Sequence, residues 1–159
     1  MHTLNPQCLA LLLLVTSVGG ARAAAPGDFG IGVILGEPSG LSAKFTVDDR
    51  HAFDLALDFS FLDEDFHVHG DYLLHFPEWM RGVKGGTWRP YVGIGAKVRV
   101  ADDKGGDRGD GLSVRIPFGI SWSPKGPPVD VFLELVPGVK ILPETDPDLD
   151  VGLGARWWF

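Results

Sequence analysis

His67, His69, Asp71 and His75 share the odd-numbered positions of one short stretch, and the first three make the pattern His-x-His-x-Asp. In a strand, such spacing puts the side chains on one face. Two imidazoles and a carboxylate are donor types that Zn²⁺ or Ni²⁺ accepts. The strand repeat argues against a shared ion, because positions i and i+2 lie ~7 Å apart, a long step for two ligands of one metal. The plainer reading is an internal hydrogen-bond network whose histidines change protonation with pH. A second set is Ser60 and His67 with Asp63, Glu64 and Asp65 between them. These are the residue types of a nucleophile, a base and an acid in acyl transfer, brought together only by proximity along the chain. A third is the stretch 102–111, where Arg108-Gly109-Asp110 is the tripeptide read by integrins. Its Asp/Gly spacing departs from the EF-hand pattern, and the plainer reading is a solvated acidic loop.

The elements that must carry these residues are strands. Eight alternating segments run over approximately 28–35, 41–47, 52–61, 66–76, 89–100, 112–122, 129–142 and 149–159, separated by Pro-, Gly- and Asp-rich breaks. In the third, Phe53, Leu55, Leu57, Phe59 and Phe61 oppose Asp54, Ala56, Asp58 and Ser60. In the fifth, Val92, Ile94, Ala96, Val98 and Val100 oppose Tyr91, Gly93, Gly95, Lys97 and Arg99. The last puts Val151, Leu153, Ala155, Trp157 and Phe159 against Gly152, Gly154, Arg156 and Trp158. No segment reads as a helix. Several reach the ~9–11 residues of a tilted membrane-crossing strand, and the second is short.

Residues 1–25 read as a signal peptide, with a ten-residue apolar core at 9–18 and small residues that suit cleavage after Ala23 or Ala25. The remaining 26–159 form one domain by length. That domain lacks cysteine, since Cys8 precedes it, which excludes a disulfide scaffold and a thiolate metal site. It holds 13 basic and 21 acidic residues, a net charge of −8 that argues against nucleic acid as a partner. It also lacks the ~20-residue apolar run of a membrane helix. Membrane residence would therefore require a closed barrel, the way in which strands satisfy their backbone groups in lipid.

A soluble, lipocalin-like barrel shows the same alternation turned inside out. Against it stand the signal peptide, the bare aromatic terminus and the glycines of the polar face. Glycine weakens a solvated strand, but in a narrow barrel it makes room for long side chains opposite. With both termini on one side, all five tryptophans fall at that side, and the four opposite connections hold twelve acidic residues against Lys104 and Arg108.

With its strand count, alternation, first hairpin Gly32 to Leu41 and closing Arg156-Trp157-Trp158-Phe159, the chain from about Asp28 to Phe159 resembles small outer-membrane barrels of the OmpX and OmpA transmembrane-domain type. The resemblance implies an all-β, eight-stranded, antiparallel up-and-down transmembrane β-barrel in a bacterial outer membrane, with periplasmic termini. It also implies a terminal aromatic that marks the chain as a client of the barrel-assembly machinery. Outer-membrane lipid and lipopolysaccharide are the expected partners, in a monomer without metal or cofactor. Lys44, Asp54, Asp58, His67, His69, Asp71, His75, Lys97, Arg99, Arg115, Glu134, Lys140 and Arg156 form the expected interior network, since an eight-stranded interior is just filled by side chains. Trp79, Trp88, Trp122, Trp157 and Phe159 are the expected interface aromatics. The expected role is structural or surface-interacting. The alternatives are a lipid A acyltransferase or deacylase and a soluble periplasmic binding barrel.

Overall fold

A computed structural model describes residues 28–61, 65–100 and 110–159. Residues 1–25, expected to be a signal peptide, Asp63, Glu64 and stretch 102–109, with Arg108 and Gly109 of the tripeptide, lie outside the described residues. The described chain is all-β: β1 (Phe29–Glu37), β2 (Ser39–Thr46), β3 (His51–Ser60), β4 (Asp65–His75), β5 (Thr87–Val100), β6 (Gly111–Arg115), β7 (Phe118–Ser123), β8 (Val129–Leu142) and β9 (Asp146–Trp158). One 3-10 turn, Pro77–Met80, sits in the connection between β4 and β5. Neighbouring strands pair antiparallel throughout. The sheet closes into a ring because β9 pairs with β1, and β4 with β5.

The strand count differs from the expected eight. The segment expected to run unbroken over 112–122 divides into β6 and β7, both of which pair with β5 on one side and β8 on the other. Eight positions around the ring are thus filled by nine strands, two of them collinear. The interruption falls at Ile116-Pro117, where proline has no N–H to give the ladder. The gap is bridged by Gly93 N donating to Pro117 O at 2.8 Å and Ile116 N donating to Pro137 O at 2.9 Å. A second difference lies in β9, which begins at Asp146 where a break was expected. Lys140 stands opposite Asp146, and Pro147 opposite Val139, so the hairpin stays paired almost to its tip.

The two faces separate by chemistry. Among the described residues, 31 large apolar side chains are exposed, including Ile31, Leu57, Ile94, Leu133 and Leu153, while the buried apolar set is Ile34, Ala52, Ala56, Leu73, Tyr91, Phe132 and Val136. The glycines of the inner face let the remaining side chains fit. A Cβ on Gly119 would lie 2.3 Å from the Tyr91 ring, and one on Gly154 would lie 2.2 Å from Phe132. The start of β1 and the end of β9 lie at one end of the ring, called here the termini end, together with the turn after β2. In that turn, Asp48 Oδ1 accepts from the N–H groups of Arg50 and His51, each at 2.8 Å. The Arg50 N–H chiefly, then that of His51, holds the exposed Asp48 carboxyl below its usual range.

Two outcomes are expected. Gly119→Leu should overpack the Tyr91 ring and lower the unfolding free energy by about 1–3 kcal/mol, read from urea midpoints by tryptophan fluorescence. Asp48→Ala should destabilise the protein at neutral pH. Because the folded carboxyl is the stronger acid, the wild-type advantage is present above the ordinary carboxylate value, about 3.9. It should close as acid titration passes below that value, in parallel unfolding curves of the two proteins.

Candidate functional site

The ring's interior is the candidate site, because the strand period turns one residue in two towards it and that set is charged. All thirteen expected interior residues lie on the inner face. Eleven are buried, while Arg99 and Lys140 are half-buried at the end away from the termini. Burying each charge costs several kcal/mol unless it is paired, and the pairs run across the lumen as well as between neighbours.

The middle is organised by Arg156, a fully buried side chain on β9. Its Nε donates to Ser42 Oγ at 2.8 Å, its Nη2 to Asp54 Oδ2, and its Nη1 lies 4.0 Å from Asp130 Oδ2. Ser42 in turn donates to Asp54 Oδ1 at 3.1 Å. The guanidinium stacks 3.7 Å over the Phe132 ring, against which Gly154 leaves space. Tyr91, buried on β5, donates to Glu134 Oε1 at 2.5 Å. Towards the termini, Lys44 Nζ lies 2.9 Å from His75 Nε2 and 4.8 Å from the Tyr91 ring centre.

Towards the other end, the Arg115 Nε lies 3.2 Å from Asp71 Oδ1, and its Nη1 3.6 Å from Asp150 Oδ2. His69 sits between two carboxylates, with Nδ1 2.6 Å from Asp58 Oδ2 and Nε2 3.7 Å from Asp71 Oδ2. Lys97 holds Asp148 at 2.6 Å and both oxygens of Asp150 at 2.9 Å. Arg99 lies 3.6 Å from Asp65, and Ser60 donates to Glu37.

A cavity opens at each end. The one at the termini end, about 310 Å³, is lined by Lys44, His75, Arg89, Asp130 and Trp158 among others. The opposite one, about 130 Å³, is lined by His67, Lys97, Arg99, Ser113, Lys140 and Asp150 among others. Between them stand the Arg156 cluster and two small apolar groups, Ile34 with Ala56 and Phe132, and Ala52 with Leu73 and Tyr91.

Sequence reasoning left Asp65, Asp130, Asp148 and Asp150 out of the network, as well as Ser42, Glu37 and Tyr91. Parity already placed Asp130 and Tyr91 on the inner face. Asp65, Asp148 and Asp150 were counted among acidic connections, whereas β4 and β9 reach far enough to turn them inward. The acidic end is therefore less acidic than its composition suggests.

His67 and His69 share a face with Asp71, but His69 is engaged by two carboxylates and His75 lies at the other end beside Lys44. Among the described residues, no three His, Cys, Asp or Glu side chains are grouped to hold a metal ion. Ser60 and His67 line the same small cavity, yet the Ser60 proton goes to Glu37. The aromatics gather at the termini end. Trp88 and Trp122 are outward neighbours 6.0 Å apart, Trp79 stacks on Phe76 at 4.5 Å, and Trp157 and Phe159 are exposed. Trp158 alone of the tryptophans turns inward, into the larger cavity.

Compared with known proteins, the chain matches no protein-family model and no curated protein.

Arg156→Met should strand the Asp54 carboxylate in the interior and cost about 3–5 kcal/mol. Adding Asp54→Leu to that variant should recover most of the loss, measured as a double-mutant cycle in urea. Equal, additive losses would show that the two side chains do not act as a pair.

Proposed function

We propose that this chain is a small integral β-barrel of the bacterial outer membrane, with a plugged, ion-paired interior and a structural or surface-interacting role. The observation that carries this reading is the inversion of the usual solubility pattern, with large apolar side chains around the outside and charge within. Water makes such a continuous apolar surface costly, and monomeric soluble proteins rarely expose patches beyond a few hundred Å². A bilayer reverses that cost and demands in exchange that the sheet have no open edge. A soluble binding barrel for an apolar ligand needs the opposite distribution.

Orientation follows from the aromatics. The tryptophans and Phe159 at the termini end suit an interfacial girdle, with that end periplasmic. Phe59, Phe61 and Phe66, packed edge to face at 5.2 and 5.8 Å, suit a smaller girdle at the outer boundary. Closure between β1 and β9 leaves no strand edge for a partner, which fits a monomer. Lipid and lipopolysaccharide then surround the belt, and the barrel-assembly machinery handles the unfolded chain. The central cluster separates the two cavities, so the interior braces the wall and does not conduct.

The test is expression of the full chain in a Gram-negative host. The protein should fractionate with outer membranes, resist carbonate extraction, and migrate faster unheated than boiled on SDS gels. Recovery in the soluble periplasmic fraction without detergent would overturn the membrane reading. In planar bilayers the purified protein should show no large steady conductance, and a porin-like open level would overturn the plugged interior.

A further inference from the structure

Two buried polar atoms of opposite charge belong to residues that line the cavity at the termini end: Arg89 Nε on β5 and Asp130 Oδ1 on β8. Neither has a hydrogen-bond partner among the described residues. The Asp130 carboxylate is otherwise held by the Trp158 indole, which donates to it, and by Arg156, whose Nη1 lies 4.0 Å from Oδ2. Arg89 has no acidic side chain within ion-pair distance among the described residues, and the titratable group it faces is His75 on β4. The two do not reach each other, because β7 stands between their strands and turns Ser121 and Ser123 into the cavity. The lining carries both signs: Asp28, Asp48, Asp49 and Asp130 against Lys44 and Arg89. Lys44 is engaged by His75 and the Tyr91 ring, with Asp54, Asp130 and Glu134 as its acidic neighbours. An anion by itself would meet four carboxylates, and a cation by itself would meet Lys44 and Arg89. A ligand that carries both charges answers both orphaned atoms at once.

We propose that this cavity binds a small zwitterion of the α-amino acid class. Its carboxylate meets Arg89 and the Ser121 hydroxyl, and its ammonium sits between Asp130 Oδ1 and the Trp158 ring. The dimensions agree. Strands two places apart stand roughly 10 Å from each other. In an α-amino acid the nitrogen and the carboxyl carbon lie ~2.5 Å apart, and a hydrogen bond of ~2.9 Å at each end extends the reach to ~8 Å. The volume of about 310 Å³ falls at the small end of ligand cavities, ~300–1,000 Å³. The role also accounts for the one tryptophan that leaves the outer face: its N–H orients Asp130, and its ring offers a cation a π surface. The Arg156 cluster and the Ala52, Leu73 and Tyr91 group close the floor, so the site is blind. It belongs to the closed ring itself and does not rest on the membrane reading.

The probes are L-alanine, propionate and ethylamine, which are similar in size and differ in charge, each titrated into the folded protein in uncharged maltoside micelles. With L-alanine the Trp158 indole nitrogen should shift saturably in nitrogen NMR. The affinity should exceed that for propionate and that for ethylamine by about tenfold or more. Arg89→Gln should weaken L-alanine binding about tenfold or more. Lys125→Gln, which alters an exposed lysine at the same end but outside the cavity lining, should change it little. No saturable shift with L-alanine in the unmutated protein overturns the proposal whether or not the variants fold. Propionate or ethylamine binding as tightly as L-alanine overturns it as well, and so does equal affinity in folded Arg89→Gln. Should the protein prove soluble, the same titration runs in plain buffer, so this inference and the membrane reading fail separately.

Discussion

Every charge inside this ring must find its counter-charge within a lumen only a few side chains wide. That constraint organises the rest. Arg156 on β9 reaches Ser42 on β2, two places around the ring, and Asp54 on β3, three places around, so residues 102 positions apart in sequence become immediate neighbours. Lys97 gathers two carboxylates from β9, and Arg115 links one of them to Asp71 on β4. The strands are tied across the interior as well as along their ladders. A wall braced in this way keeps its cross-section without an apolar core, which is the condition for showing its apolar groups to the outside.

Space is rationed as tightly as charge. Phe132 and Tyr91 occupy inner positions where a charged lining would predict something polar, and each faces a glycine that leaves room for its ring. Their apolar faces serve the charges: Phe132 carries the Arg156 guanidinium, and Tyr91 lies under Lys44 while its hydroxyl meets Glu134. Each aromatic therefore offers a cation–π surface where another carboxylate would raise repulsion.

Much of this was legible in the chain. Alternation alone sorted the residues into two faces, because the strand period admits no intermediate orientation, and the glycines of the polar face pointed to the one that turns inward. It was blind to the break at Pro117, since Arg115, Pro117 and Gly119 keep the same parity across it and β6 and β7 stay collinear. The start of β9 was masked by composition: Pro147 and three acidic residues read as a turn, until Lys97 is seen to hold Asp148 and Asp150 from across the ring. Which inner residue meets which was not legible, because partners are chosen by shear and closure, and neither is written in any single strand. His67 shows the limit well. Its face was readable, but its lack of a hydrogen-bond partner among the described residues emerges only when every neighbour has been assigned to another.

The pairing of β1 with β9 also sets an order in time. These strands come from opposite ends of the described chain, yet their ladder runs from Gly30 opposite Trp158 to Glu37 opposite Val151. Hairpins such as β1–β2 and β3–β4 can form from nearby residues, whereas the closing seam needs the first strand and the last together. It also delivers Arg156, the side chain that anchors the middle of the lumen. The wall and its central brace are therefore completed in the same late event, and a growing chain can possess most of its hairpins while still having neither an inside nor an outside.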